Sequence, residues 1–556
     1  MTLFESLLSL LAEAGVRHIF GVPGDALNPL TDALRKQDRI RWVRTAHEEG
    51  AAFAASGAAK LTGRLQVCAG TVGPGALHLI NGLADAQKDG APVLAILGQI
   101  PQAYRGSDYH QEIDLRRVFS PVLGHVVELE SPKAAPHALL EAINFAISRR
   151  EVSALIISAE VGESEVDGGA SLRPLAPADL GHLHPSPRAL AEAVDLLEES
   201  QSVAIFAGNG SRGAQQQVLS LAKRLGAPVI RSLKARDLYP DENELVCGEL
   251  GVVGSRRAVE AMKRCDVLLM VGTDFPYRDW YNPECTAIQI DRRAAVIGRR
   301  SPRTVALHAD ASIAMQCLLD MLPEQAGSAP HGLLSTIWEH AMEDVETLHA
   351  DSKRLQPQAV VQALADAAPA DAVFTCDTGT STVWAARHLH LGPRQRITFC
   401  ANLGSMAYAL PAAVGCALAE PERCVVALTG DGAFNMLMGE FLTAVNQQLD
   451  LKVVVLDNAK VGLIQLEQES EGFPEADTSQ RNPDYARFAE ACGGVGFNVE
   501  RPAEFDAQLA RFFAARGPAV LGVRVDPDAL VFPPRVTLTQ AWSFGLARAK
   551  ELFAES

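Results

Sequence analysis

The sequence predicts an α/β protein made of three doubly wound parallel-sheet domains, and three observations carry that expectation. The chain has 556 residues, 48% hydrophobic and 21% charged, which is more than one core accommodates, since cores stop growing at roughly 250–300 residues. Two stretches rich in Gly, Pro and Asp, "VGESEVDGGASLRPLAPADLGHLHPSP" (161–187) and "MLPEQAGSAPHG" (321–332), read as linkers. The outer thirds also repeat one pattern of strand, glycine turn, crossover helix and strand, in "LQVCAGTVGPGALHLINGLADAQKDGAPVLAILGQ" and in "CVVALTGDGAFNMLMGEFLTAVNQQLDLKVVVLDN". The boundaries expected are 1–182, 183–332 and 333–530, with a C-terminal helical segment over 531–556.

Taken in order, the amino-terminal "MTLFESLLSLLAEAGVRHIF" spaces Leu as a helix does, but it carries Glu5 and Glu13 and lacks the basic region and cleavage site of a leader. "RIRWV" is a strand, and His47-Glu48-Glu49 opens an Ala/Gly-rich helix, "GAAFAASGAAK", whose small side chains allow close packing. The continuous Val/Leu/Ala strands are those of a sheet buried on both faces. In the middle third, "SVAIFAGNGSRG" is a strand followed by G-x-G-x-x-G at Gly208–Gly213. An NAD site also needs an acidic residue near the end of the next strand, where this chain has Arg231 and Lys234. At the tail, Trp542, Leu546, Ala549 and Phe553 form one apolar helical stripe. It is too short and too weakly basic for stable membrane anchoring, so it is expected to dock on its own subunit.

The net charge of −17 argues against nucleic acid as a partner and gives no attraction to an anionic membrane. Ten cysteines without a C-x-x-C pair read as reduced core residues of a cytoplasmic protein. No apolar run reaches the roughly 18 residues of a membrane span.

The turn in the repeated unit is "GPG" at Gly73–Gly75 but "GDG" at Gly430–Gly432, and Asn458 ends the strand that follows the second. Adjacent parallel strands bring Asp431 and Asn458 to one sheet edge, beside a helix start that favours phosphate. A carboxylate and an amide oxygen there suit Mg²⁺, which completes its shell with phosphate oxygens. Taken singly, Asp431 is better explained as a helix cap and Asn458 as a turn residue.

G-D-G followed by Asn458 resembles the motif of thiamine diphosphate enzymes. There the Asp and Asn side chains and one backbone carbonyl, here that of Lys460, hold Mg²⁺ on the diphosphate. The resemblance extends over nearly the whole chain and is to the pyruvate oxidases, most of all to the bacterial quinone-dependent pyruvate dehydrogenases. It implies domains that bind the pyrimidine, FAD and the diphosphate, in that order. Glu48 takes the role of the glutamate that hydrogen-bonds the aminopyrimidine. Gly404, Ser405 and Met406 match the segment under the bent cofactor, and Gly432, Ala433, Gly462 and Leu463 complete its site. His78, Gln111 and Glu467 fall where the family has residues near substrate. Leu250, Gly251, Val252 and Val253, then Thr273, Asp274, Phe275, Pro276 and Tyr277, and finally Asp291, fall in the slots of the FAD site. The activity implied is oxidative decarboxylation of pyruvate to acetate and CO2 through an enamine. Electrons pass to FAD and then to a quinone or other acceptor, in a homodimer or homotetramer.

Three departures bear on substrate and acceptor. His110 replaces a phenylalanine beside the substrate, Leu463 replaces an aromatic residue, and the sequence ends at Ser556 without the family's membrane-binding tail. The last points to a cytoplasmic enzyme with at most weak peripheral contact with the inner membrane. The alternatives are a phosphate- and oxygen-using pyruvate oxidase, a carboligase of the acetolactate-synthase type, and a decarboxylase acting on another 2-keto acid.

Overall fold

The computed structural model describes residues 1–166, 172–176, 180–301, 303–324, 333–340 and 354–529, together with Pro534 and Ala547. The apolar stripe from Trp542 to Phe553 lies outside the described residues.

Three six-stranded sheets, parallel throughout, follow one another along the chain. The first holds β1 (His18–Gly21), β2 (Arg41–Arg44), β3 (Gln66–Gly70), β4 (Val93–Gln99), β5 (His125–Leu129) and β6 (Val152–Ser158), in the order 2-1-3-4-6-5. The second holds β7 (Val203–Ala207), β8 (Val229–Arg231), β9 (Val246–Glu249), β10 (Val267–Val271), β11 (Thr286–Asp291) and β12 (Thr304–His308), in the order 12-11-10-7-8-9. That is the doubly wound order with its switch point between β7 and β10. The third holds β13 (Val373–Cys376), β14 (Arg396–Phe399), β15 (Val425–Gly430), β16 (Leu451–Asp457), β17 (Val495–Val499) and β18 (Ala519–Arg524), in the order 14-13-15-16-18-17. Renumbered from its own first strand, the third sheet has the order of the first. The outer thirds are thus two copies of one topology, with β4 and β6 of the first buried along their whole length and β15 and β16 of the third buried up to their last residue.

The crossover helix after each glycine turn is expected to be continuous but is broken. One copy runs Pro74–His78 then Ile80–Asp89, and the other Asp431–Leu437 then Glu440–Asn446, the latter interrupted at Met438-Gly439. The second break falls at a glycine, an ordinary outcome, whereas the first falls at Leu79.

Small residues lock the outer domains together. The helix Glu48–Thr62 crosses the helix Ala409–Ala419 so closely that a Cβ on Gly415 would lie 1.9 Å from the Ala54 carbonyl oxygen, and one on Gly57 would lie 2.6 Å from the Ala412 Cβ. A buried charge network joins all three domains. Lys60 Nζ contacts Asp85 (2.7 Å), Asp89 (2.8 Å) and the Phe399 carbonyl (2.8 Å), and Lys234 reaches Asp89 (3.2 Å) from the middle domain. Buried charges persist only when paired and hydrogen-bonded, so these contacts fix the domains relative to one another.

Candidate active site

The site is built at the carboxyl ends of the strands. In the first domain, Glu48 is the first residue of its helix, after His47 in extended backbone (φ −145°), whose ring nitrogen accepts from the Glu49 N–H at 3.1 Å and caps the helix. Glu48 is 8% exposed, and its Oε2 lies 2.9 Å from His78 Nδ1. The His47 and His78 rings stack at 4.4 Å. The GPG turn passes under this group, since a Cβ on Gly75 would sit 3.2 Å from Glu48 Oε1, and one on Gly73 would sit 2.9 Å from the Gln111 Cβ. The structure therefore gathers Glu48, His78 and Gln111 around one turn. Gln111 is held at φ +64°, in the left-handed region. His110, beside it, is exposed.

In the third domain, Asp431 is 1% exposed and caps nothing with its side chain in the ordinary way. Its Oδ1 accepts from Gly432 N (2.8 Å), and its Oδ2 accepts from Ala459 N (2.7 Å) and Asn482 Nδ2 (2.6 Å). Burial pushes its pKa up to about 6, against the Asn482 hydrogen bond, with the Asp457 charge adding to the rise. Asp457 shares the same Asn482 amide (2.7 Å) and is paired with Arg524 (2.7 Å). Between Asn458 and Lys460, Ala459 is at φ +56°, a conformation that costs a non-glycine residue free energy and is retained at functional sites. Asn458 Oδ1 accepts from Lys460 N (3.2 Å), and an added Cβ on Gly462 would lie 3.0 Å from Asn458 Nδ2. Met406 approaches Gly432, 3.4 Å from its Cβ position, and Ala407 next to it is at φ +68°. Ser405 is tied to the first domain by Asn81, whose Nδ2 donates to Ser405 Oγ (2.8 Å) and to Glu49 Oε1 (2.7 Å). Leu463 lies in the first turn of the helix Gly462–Glu471, and Glu467 on that helix is exposed.

Among the described residues Asp431 has no cationic partner, and a buried carboxylate so placed, beside a helix start and an asparagine, is the electrostatic setting a hard divalent cation neutralises. Asp431 and Asn458 therefore fit Mg²⁺ on a diphosphate, with Gly432 and Ala433 at the start of the adjoining helix.

Family models for thiamine pyrophosphate enzymes match the chain three times, with the N-terminal TPP binding domain at residues 1–118, the central domain at 190–318 and the C-terminal TPP binding domain at 377–523. YdaP of Bacillus subtilis, named as thiamine pyrophosphate-containing, is 35% identical over 554 residues, 99% of this chain and 96% of its own length. The chain belongs to the thiamine pyrophosphate enzyme family. Within this family the acetolactate synthase of Mycobacterium bovis is 32% identical over 550 residues, 95% of this chain and 89% of its own length. That of Arthrospira platensis is 31% identical over 557 residues, 95% of each. Thiamine pyrophosphate and thiamine diphosphate are one compound.

Several residues of this thiamine pyrophosphate enzyme that the sequence does not single out support the site. Glu440, 1% exposed, accepts from the N–H groups of Ala46 (3.2 Å) and His47 (2.9 Å), so the third domain holds the start of the Glu48 helix. Asp377, pushed up to about 6 by burial, accepts from Tyr408 N and Thr429 Oγ1 (both 2.7 Å). Its only sequence signal is its place in "DTGT" after β13.

In the central domain, Gly208 and Gly210 press on Gly272 (φ +58°), where a Cβ on Gly210 would come within 2.7 Å of the Gly272 Cα. The turn Leu250–Val253 meets the loop Thr273–Tyr277, with an added Cβ on Gly251 (φ +109°) 3.0 Å from the Phe275 ring. Phe275 packs edge-on against Phe206 at 5.5 Å, while Val252 and Tyr277 stay exposed. Val253 packs against the core of the third domain. Asp274 pairs with Arg299 and Arg300. Asp291 is buried at the end of β11, and that burial raises its pKa. Arg231, which takes the place of an NAD-type acid, is instead 1% exposed and paired with Glu249 (2.8 Å) and Asp241.

Proposed function

We propose that this chain decarboxylates a small 2-keto acid, pyruvate being the first candidate, with thiamine diphosphate and Mg²⁺ held by Asp431, Asn458 and the Lys460 carbonyl. The observation that carries the reading is the pairing of Glu48 with His78 at a buried helix start, in a chain that also holds the buried Asp431 beside Asn458. Bound there, the cofactor supplies a thiazolium carbon that accepts the electron pair released as CO2 leaves. Glu48 would hold or pass a proton at its carboxylate, with Nδ1 of the half-exposed His78 2.9 Å from Oε2 to share it. Gln111, packed against Gly73 of the same turn, and its chain neighbour His110 would select the side chain of the substrate. Met406, with Gly404 and Ser405, would support the cofactor, and Gly462 and Leu463 would complete its site.

Two fates of the two-carbon unit follow. Transfer to a second 2-keto acid is supported by the acetolactate synthases among the relatives. Oxidation, with electrons passing through FAD to a quinone, is supported by Glu467, which matches a glutamate of the pyruvate oxidases. In either case FAD belongs against Leu250–Val253, Thr273–Tyr277 and Asp291, between domain boundaries near 183 and 333. A homodimer or homotetramer goes with both readings.

Anaerobic mixing of the purified protein with pyruvate, thiamine diphosphate, Mg²⁺ and FAD tests the proposal. Release of CO2 with acetolactate and an oxidised flavin establishes transfer, and CO2 with flavin bleaching establishes oxidation. No CO2 from pyruvate or from longer 2-keto acids refutes both.

A further inference from the structure

The candidate active site occupies the carboxyl ends of the outer sheets, and the opposite end holds a second feature. There the amino ends of β1 and β2 meet the end of the helix Ala409–Ala419 and the turn before β16, around a cavity of about 510 Å³. Arg17, Arg39, Arg41 and Arg423 line it, against Asp38 and Asp450. Among the described residues, none of these four guanidinium groups is ion-paired. Arg17 donates to the carbonyls of Ala12 and Val16, and Arg423 to those of Asp371 and Arg394, while Arg39 and Arg41 make no side-chain hydrogen bond. Asp450 is itself engaged by Lys452. Such convergence is unusual in a chain of net charge −17, where Arg231, Arg236, Arg396 and Arg524 each have a carboxylate partner.

His18, also in the lining, registers the field of this group. Burial first, then the charges of Arg41 and Arg17, lower its pKa to about 4. At neutral pH it is an uncharged hydrogen-bonding group among four cations. Gln447 and Gln448 add amides from the third domain.

We infer that this cavity binds a small phosphate-bearing anion between the first and third domains. Guanidinium groups bind phosphate oxygens through paired, charge-assisted hydrogen bonds. Four of them outnumber the two lining carboxylates, Asp38 and Asp450, and the volume is that of a small-molecule site rather than a nucleic-acid track. A ligand held by Arg41 on one side and Arg423 on the other would stabilise the docking that places Glu48 relative to Asp431.

The test needs no turnover. Protein saturated with thiamine diphosphate and Mg²⁺, with FAD in excess so that the cofactor sites are filled, is titrated calorimetrically with inorganic pyrophosphate and with ADP. One saturable site that weakens as salt is raised is expected. The exposed Arg39→Gln/Arg41→Gln double variant should weaken it about tenfold or more, with melting temperature and turnover unchanged, whereas Arg39→Lys/Arg41→Lys, which keeps the charge but not the paired hydrogen bonds, falls between it and the parent. Tighter binding of ADP than of pyrophosphate identifies a nucleotide-like ligand, and equal binding identifies a site for the phosphates alone. Absence of saturable binding by both probes, or equal affinity in the Gln variant, overturns the inference.

Discussion

Glu440→Gln is the sharpest test of how the outer domains build the site. The two carboxylate oxygens divide the work, since Oε1 accepts from His47 N and Oε2 from Ala46 N and from Thr443 Oγ1 (2.6 Å). An amide keeps the shape but offers one acceptor. In either orientation its NH2 group faces a backbone N–H, that of the exposed Ala46 or of the half-buried His47, which loses its acceptor at a cost of about 1 kcal/mol. The surviving bond also loses its charge assistance, roughly half its strength. A loss of about 1–2 kcal/mol at this contact is therefore expected. The His47-Glu48 start would shift within its pocket, and kcat/KM would fall about tenfold to a hundredfold, as small misplacements of catalytic groups do. The assay is steady-state release of CO2 from pyruvate, alongside thermal melting of protein loaded with thiamine diphosphate. A variant that melts within about 1 °C of the parent and turns over normally would show that Glu440 does not anchor the helix.

Glu48→Gln should retain the fold and thiamine diphosphate, measured by calorimetry, while turnover drops about 10²- to 10⁴-fold; near-normal turnover would remove Glu48 from its role. Asp431→Ala should lower the affinity for Mg²⁺ and thiamine diphosphate together, and unchanged calorimetric affinities would leave Asp431 a structural residue only. His18, with its folded pKa near 4 against the ordinary 6.5, is protonated in the unfolded chain before the folded one. Stability is therefore lost as pH falls from 6.5 to 4, by up to about 3 kcal/mol. Denaturant midpoints across that range should fall less steeply in His18→Gln, and an identical slope would refute the assignment.

What could be read from the sequence was local. Continuous Val/Leu/Ala runs such as β4 and β15, each ending at a turn, identify parallel strands, and the repetition of one pattern in "GPG" and "GDG" segments reveals the duplicated topology before any coordinates. Asp431 and Asn458 stand out because motif and strand ends coincide within a short span. Glu440 does not stand out, because its partners Ala46 and His47 lie almost four hundred residues away and an acidic residue opening a helix looks ordinary. Asn81 is invisible for the same reason, since it joins Glu49 to Ser405 across the domain contact. The break after Met438 and the exposure of Glu467 depend on how helices pack, which periodicity alone does not fix.

The Lys60, Asp85, Asp89 and Lys234 network also has a consequence for how the chain matures. During synthesis the first sheet is complete once β6 has emerged, yet Asp85 and Asp89 at that stage have only Lys60 to offset them. Lys234 arrives with the middle domain, and the Phe399 carbonyl arrives only after most of the third domain has been made. Domains of long chains tend to fold as units in order of synthesis, but here two carboxylates of the first cannot leave water cheaply until the other two are present. The nascent first domain should therefore keep this face open and hydrated, and its final dehydration should be a late event that seals all three domains at once.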